Sequence, residues 1–290
     1  MNRLAQVAVL FALALAACSS TRTIRTDSIT DSARAAYLQG IDSLESGNYL
    51  DAISAFQVVA KSPNYVKWAA LARLRIADSL YFQEKYAEAV EQYMAYLNQY
   101  QGDLNEAYAQ YMIAKCWYQQ MPTDWFLTPP AYENDISSVQ RAREKLEAFV
   151  RLYGRSRFLP EARRMLDDVR AMQFAHSDFV ARFYEDRDKP AGALVRLQHM
   201  RKHFPDLFDT EESWMRLGKA NVQVGRAQDA LDAYRAYLDR YPSGEYADTA
   251  RQSASRLEQV IRERGAPPEL PEPSGTLPEP EAGDPAEEAE

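Results

Sequence analysis

Small and large apolar residues recur in a fixed order along most of this chain. Ala52 is followed four residues later by Phe56 and then Pro63; Ala89 by Tyr93 and Tyr96; Ala142 by Leu146 and Phe149; Ala193 by Leu197 and Phe204; Ala230 by Tyr234 and Tyr237. Spacing of three and four places each set on one helical face. A turn signal precedes several sets: Gly47-Asn48, Lys189-Pro190 and Gly225-Arg226. The anchoring alanines stand 37, 53, 51 and 37 residues apart. Each step fits a pair of antiparallel helices, and the two long steps carry an excess. One excess, residues 121–138, holds Pro122, Pro129 and Pro130 with Trp125, Phe126 and Tyr132, which predicts an aromatic-bearing loop. The other, Pro160–Glu185, contains no Gly or further Pro and keeps helical spacing through Ala162, Met165, Val169, Met172, Val180 and Phe183. It predicts one long helix.

The last copy is the clearest. Trp214, Leu217 and Gly218, then Ala230, Tyr234 and Tyr237, then Pro242 match the 34-residue tetratricopeptide pattern. The expected fold is all-α: five tetratricopeptide-like helical hairpins in a solenoid, a long helix between repeats 3 and 4, and a C-terminal capping helix near Tyr246–Arg262. The expected halves are 33–158, with the 121–138 insertion, and 159–264.

The ends differ from this body. After Arg3, an apolar run from Leu4 to Ala17 is broken only by Gln6, too short to span a bilayer and suited to a cleaved signal peptide over 1–17. Leu15-Ala16-Ala17-Cys18 resembles the bacterial lipobox, which makes Cys18 the expected lipid-anchor residue. More than one acyl chain would anchor the protein stably at a membrane. Ser19 is compatible with export to the outer membrane. Residues 18–32 read as a polar tether and 265–290 as a disordered acidic Pro-rich tail. That tail has eight acidic and no basic residues, whereas 18–264 balances 33 basic against 34 acidic residues. A near-neutral body has no basic footprint for nucleic acid.

Candidate chemistry is sparse. His199 and His203 lie one helical turn apart, but Met200-Arg201-Lys202 between them lacks the Glu of a zinc-protease motif and adds two cations, so no metal or other cofactor is expected. Cys116 reads as a buried thiol. P-loop, G-x-G-x-x-G and G-x-S-x-G motifs do not occur, and no catalytic residues are expected. What remains is surface. The first helices of repeats 1 to 3 align Tyr37 and Ile41; Leu74, Asp78 and Tyr81; and Tyr108, Tyr111, Lys115 and Tyr118 on one stripe. A tyrosine-lined groove of this kind suits an extended apolar or aromatic peptide, although the same positions could equally pack between hairpins.

Two further segments lie outside the generic repeat signature: Pro129-Pro130-Ala131-Tyr132-Glu133-Asn134-Asp135 with Arg141-Ala142, and His176 with Val180-Ala181-Arg182-Phe183-Tyr184, Arg187, Gly192-Ala193 and Arg196. With the lipobox and five repeats, they make the chain resemble the BamD family of outer-membrane β-barrel assembly lipoproteins. Ile136, Val139, Phe174, Ser177 and Pro190 depart from the family pattern, and the acidic tail is not part of it. The resemblance implies a non-enzymatic scaffold, lipid-anchored at the periplasmic face of the outer membrane. Its implied partners are the POTRA region of the barrel component, accessory lipoproteins and unfolded outer-membrane protein clients. Arg187 and Arg196 become the expected partner interface, and the tyrosine stripe the expected client groove. The alternative is a lipid-anchored periplasmic coordinator of Tol-Pal or peptidoglycan machinery; such proteins usually lack a lipobox and often carry an N-terminal coiled coil.

Overall fold

A computed structural model describes residues 24–62, 66–123 and 130–264. Every regular element among them is helical: α1 (Ile24–Glu45), α2 (Tyr49–Ala60), α3 (Val66–Phe82), α4 (Tyr86–Gln99), α5 (Glu106–Gln119), a 3-10 turn (Ala131–Glu133), α6 (Ser137–Leu152), α7 (Leu159–Asp186), α8 (Pro190–His203), the one-turn α9 (Pro205–Phe208), α10 (Glu211–Gln223), α11 (Ala227–Arg240) and α12 (Ala247–Arg264). Five hairpins follow, α1/α2, α3/α4, α5/α6, α7/α8 and α10/α11, with α12 packed on α11 as the cap. The 28-residue α7 is the long helix that the periodicity predicts.

One boundary differs from the sequence reading. α1 begins at Ile24, inside the stretch read as a tether. Once the packed end of α1 is nucleated, each added residue gains a backbone hydrogen bond, so the helix extends past the last repeat position. Cys18, the signal segment and the tail lie outside the described residues.

The chain divides into two compact units, Met1–Gln120 with Glu144–Arg163 and Met121–Arg143 with Arg164–Glu290. The core of the first is built from the recurring alanines and aromatics. Ala52, Ala89, Phe56, Tyr93 and Tyr96 are each completely buried. Small residues admit large ones across each hairpin. A Cβ placed on Gly40 of α1 would lie 2.6 Å from Phe56 Cε1 of α2, so only glycine fits beneath that ring.

The second unit repeats the device. A Cβ on Gly218 of α10 would lie 2.6 Å from Tyr234 Cε1 of α11. Leu197, Met200, Phe208, Leu217, Tyr237 and Ala250 form its centre. Thr210 caps α10, its hydroxyl accepting from the Ser213 amide at 3.2 Å. Tyr237 ties three elements together: its hydroxyl donates to Glu211 Oε2 at 2.5 Å and accepts from the Tyr246 amide at 3.0 Å. The end of the 121–138 segment also joins this unit, where the Tyr132 ring lies 5.9 Å from Phe179 and its carbonyl lies 2.6 Å from His176 Nδ1.

Candidate functional site

In the first unit the nine stripe residues separate into an inner and an outer set. Tyr37, Leu74, Asp78 and Tyr111 are 9%, 2%, 2% and 3% exposed, so they do not line an open groove. Each is held from inside. Tyr37 packs its ring 4.9 Å from Trp68 and 5.5 Å from Phe56. Tyr111 stacks on Phe158 at 4.6 Å. Asp78 is the hub of a buried network: Tyr93 donates to Oδ1 at 2.5 Å, Tyr108 to the same oxygen at 2.7 Å, and Arg75 Nη1 to Oδ2 at 2.5 Å. Burial first, and then the negative charge of Asp78, holds the Tyr93 hydroxyl well above its usual range. The reason is general: a buried carboxylate needs its oxygens filled, and here Tyr93 of its own hairpin and Tyr108 of the next supply the hydroxyls.

Ile41, Tyr81, Tyr108, Lys115 and Tyr118 remain half-buried and reach the surface. Lys115 organises them. Its ammonium donates to Glu161 Oε1 at 3.0 Å and lies 5.9 Å and 5.6 Å from the ring centroids of Tyr81 and Tyr111. Burial would lower its pKa, but Glu161 and the two tyrosine hydroxyls outweigh burial and leave it raised. Gln119 donates to the Tyr81 hydroxyl at 3.1 Å. The patch therefore offers aromatic faces around a fixed cation, a surface for π-rich or carboxylate-bearing segments. Glu161 is absent from the stripe because it enters from α7, far along the chain. Only its place in the first turn of that helix would have hinted at it.

In the second unit the two expected interface arginines have opposite fates. Arg187 is exposed on the turn after α7, its guanidinium 3.6 Å from the Phe183 ring centroid. Arg196 is only 7% exposed within α8, so its charge is not presented to a partner. The same helical period that puts Ala193, Leu197 and Met200 inward carries Arg196 with them. Between α7 and α10, Arg216 binds Asp178 and reaches Glu185 through Nε at 3.0 Å, while Arg182 joins Asp178 at 2.9 Å and Glu212 at 2.8 Å. His199 and His203 face each other at 4.5 Å. Burial, then the positive charges of His203, Arg196, Arg143 and Lys202, lower His199 to about 4. Among the described residues no group of three or more His, Cys, Asp or Glu could hold a metal ion. Burial, then Asp78, pushes the Cys116 thiol up to about 12, far from the range of a nucleophile.

The model of the YfiO family, described as outer membrane lipoprotein, matches residues 30–235. The chain belongs to that family. Among curated YfiO-type relatives, three carry the name outer membrane protein assembly factor BamD. The one from Caulobacter vibrioides is 23% identical over 67% of this chain, and the chain spans 61% of that relative's length. Those from Rickettsia prowazekii and Haemophilus influenzae are 20% and 22% identical over 85% and 81% of this chain, covering 94% and 90% of their own lengths. The matched region runs from within α1 into α11 and takes in both candidate surfaces. No helix among the described residues is long and apolar enough to cross a membrane.

Proposed function

We propose that this YfiO-family chain is a non-enzymatic scaffold of the outer-membrane β-barrel protein assembly machinery, held at the periplasmic face of the outer membrane through acylated Cys18. The observation that carries this reading is the family match across 30–235 together with relatives named as assembly factors along most of the chain. The geometry supports a division of labour. The half-buried patch of Tyr81, Tyr108, Lys115 and Tyr118 receives unfolded clients, whose aromatic side chains meet the tyrosine faces and whose carboxylates meet Lys115. The turn after α7 binds the POTRA region of the barrel component, with Arg187 as the exposed contact. Arg196, buried within α8, is not one of those contacts.

The test is purification of the full-length lipoprotein from its native outer membrane in mild detergent, with partners identified by mass spectrometry. A POTRA-bearing barrel protein should co-purify near stoichiometrically, accompanied by accessory lipoproteins, and Arg187→Glu should deplete it. Lys115→Glu should leave that partner bound while reducing trapped client. Recovery of Tol-Pal or cell-wall proteins without a barrel protein would overturn the reading in favour of the periplasmic coordinator.

A further inference from the structure

The last turn of α6 and its connection to α7 read Arg151-Leu152-Tyr153-Gly154-Arg155-Ser156-Arg157-Phe158, three guanidiniums without an acid. All three arginines are exposed, and among the described residues none of them has an acidic partner. Arg157 rests over the Phe158 ring at 4.7 Å, so its charge is held outward at a fixed place. Beside it Leu152 is 67% exposed. The start of α5 is joined to this turn by the Tyr153 hydroxyl, which donates to Glu106 Oε1 at 2.7 Å, and the α4–α5 connection just before it presents Leu104, 99% exposed. The acids there are occupied: Asp103 of the connection accepts from Tyr96 and the Asn105 amide, and Glu106 of α5 from Tyr153 and the Gly102 amide. Ala107, Leu152, Tyr153, Gly154, Arg155 and Ser156 line an open recess between the two connections. The first unit thus carries an apolar recess rimmed by unpaired arginines.

The chain itself contains a segment of matching chemistry. Residues 265–290 hold eight acidic and no basic residues, seven prolines and four Pro-Glu pairs. They lie outside the described residues, beyond the end of α12 at Arg264. We propose that this Pro-Glu segment docks on the arginine-rimmed recess of its own chain. The proline rings cover Leu152 and Tyr153, while the glutamates between them reach Arg151, Arg155 and Arg157. Planar guanidinium forks suit carboxylates, and alternating apolar and acidic residues match alternating leucine, tyrosine and arginine. The segment is long: 26 residues span up to about 85 Å when extended. Residues 18–264 are almost neutral, so no other stretch competes for the arginines with comparable charge. This inference is independent of the assembly role.

The experiment uses the full acylated chain carrying Leu104→Cys, labelled with a benzophenone. Cys116 is buried and does not compete for the label. On illumination at low ionic strength, cross-links should map to 265–290 and fall steeply at high salt. Arg155→Glu with Arg157→Glu should lower their yield roughly ten-fold, since each exposed pair is worth up to a factor of about five. Mixing isotopically light and heavy chains should give only same-isotope products. Cross-links to lipid in phosphatidylglycerol vesicles, mixed-isotope products from a second copy, or a yield to the segment unchanged by the double reversal would each overturn the proposal. Replacing the eight tail acids by their amides gives a second check that leaves the folded body untouched, and it should abolish the products.

Discussion

Removing the carboxylate of Asp78 is the sharpest perturbation of the first unit. Its side chain is 3% exposed, and three donors from α3, α4 and α5 converge on it. In Asp78→Ala the Tyr93 hydroxyl, on a fully buried residue, loses its carboxylate acceptor, and a buried group left unsatisfied costs about 1–3 kcal/mol. Tyr108 is half-buried and can recover part of its loss from water, and Arg75, a third exposed, can recover most. Adding the cavity and the lost charge pairing, the change should cost about 3–5 kcal/mol, the range for breaking a buried pair by removing one partner. Asp78→Asn retains an oxygen for the tyrosines and should cost about half as much. Because the chain has two compact units, a single melting curve would blend them. The suitable assay is native-state hydrogen exchange of α3, α4 and α5, with α10 and α11 as an internal control. A double-mutant cycle with Tyr93→Phe should return a coupling of at least about 1 kcal/mol. If Asp78→Ala shifted exchange in α3–α5 by less than about 0.5 kcal/mol, or moved α10–α11 equally, the hub would not hold the hairpins together as argued.

Other expectations follow from the same structure. Gly218→Ala drives a methyl to 2.6 Å from the Tyr234 ring; overpacking costs about 1–3 kcal/mol against a helix-propensity gain of about 1, so urea unfolding of the second unit should shift to lower concentration, and Tyr234→Leu in that background should restore part of it. His199, lowered from 6.5 to about 4, binds its proton more readily unfolded than folded. Its stabilising contribution is therefore complete above pH 6.5 and is lost as the pH falls through about 4; a pH series of second-unit stability should show that decline, flattened in His199→Gln. With its thiol at about 12, Cys116 should resist alkylation at pH 8 until the first unit opens, so labelling rates should rise in Asp78→Ala in step with hydrogen exchange.

The helical architecture was legible because each hairpin repeats one solution: a small residue beneath an aromatic ring, as Gly218 beneath Tyr234 and Gly40 beneath Phe56. Period and turn residues placed α7 to within one residue at each end. The start of α1 was not legible, since a polar helical extension has no apolar stripe to mark it. The functional surface was harder. A helix stripe gives direction relative to its own axis, not what covers it, so Tyr37, Leu74, Asp78 and Tyr111 could not be told from Tyr81 and Tyr118 until the adjacent hairpins were in place. Arg196 illustrates the same limit, as an arginine among leucines that stays inside the unit. Glu161, the partner of Lys115, comes from a helix 46 residues away, a pairing that no local pattern encodes.

The central claim is that this YfiO-family chain serves the assembly of outer-membrane β-barrel proteins, and depletion of the chain in its own cells tests it most directly. The account predicts that folded barrel proteins, followed by their heat-modifiable gel mobility, decline in the outer membrane while unfolded precursors accumulate in the periplasm. Lys115→Glu and Arg187→Glu should each only partly restore them. Undiminished folded barrel proteins, with defects confined to the cell wall or to envelope constriction, would contradict the account.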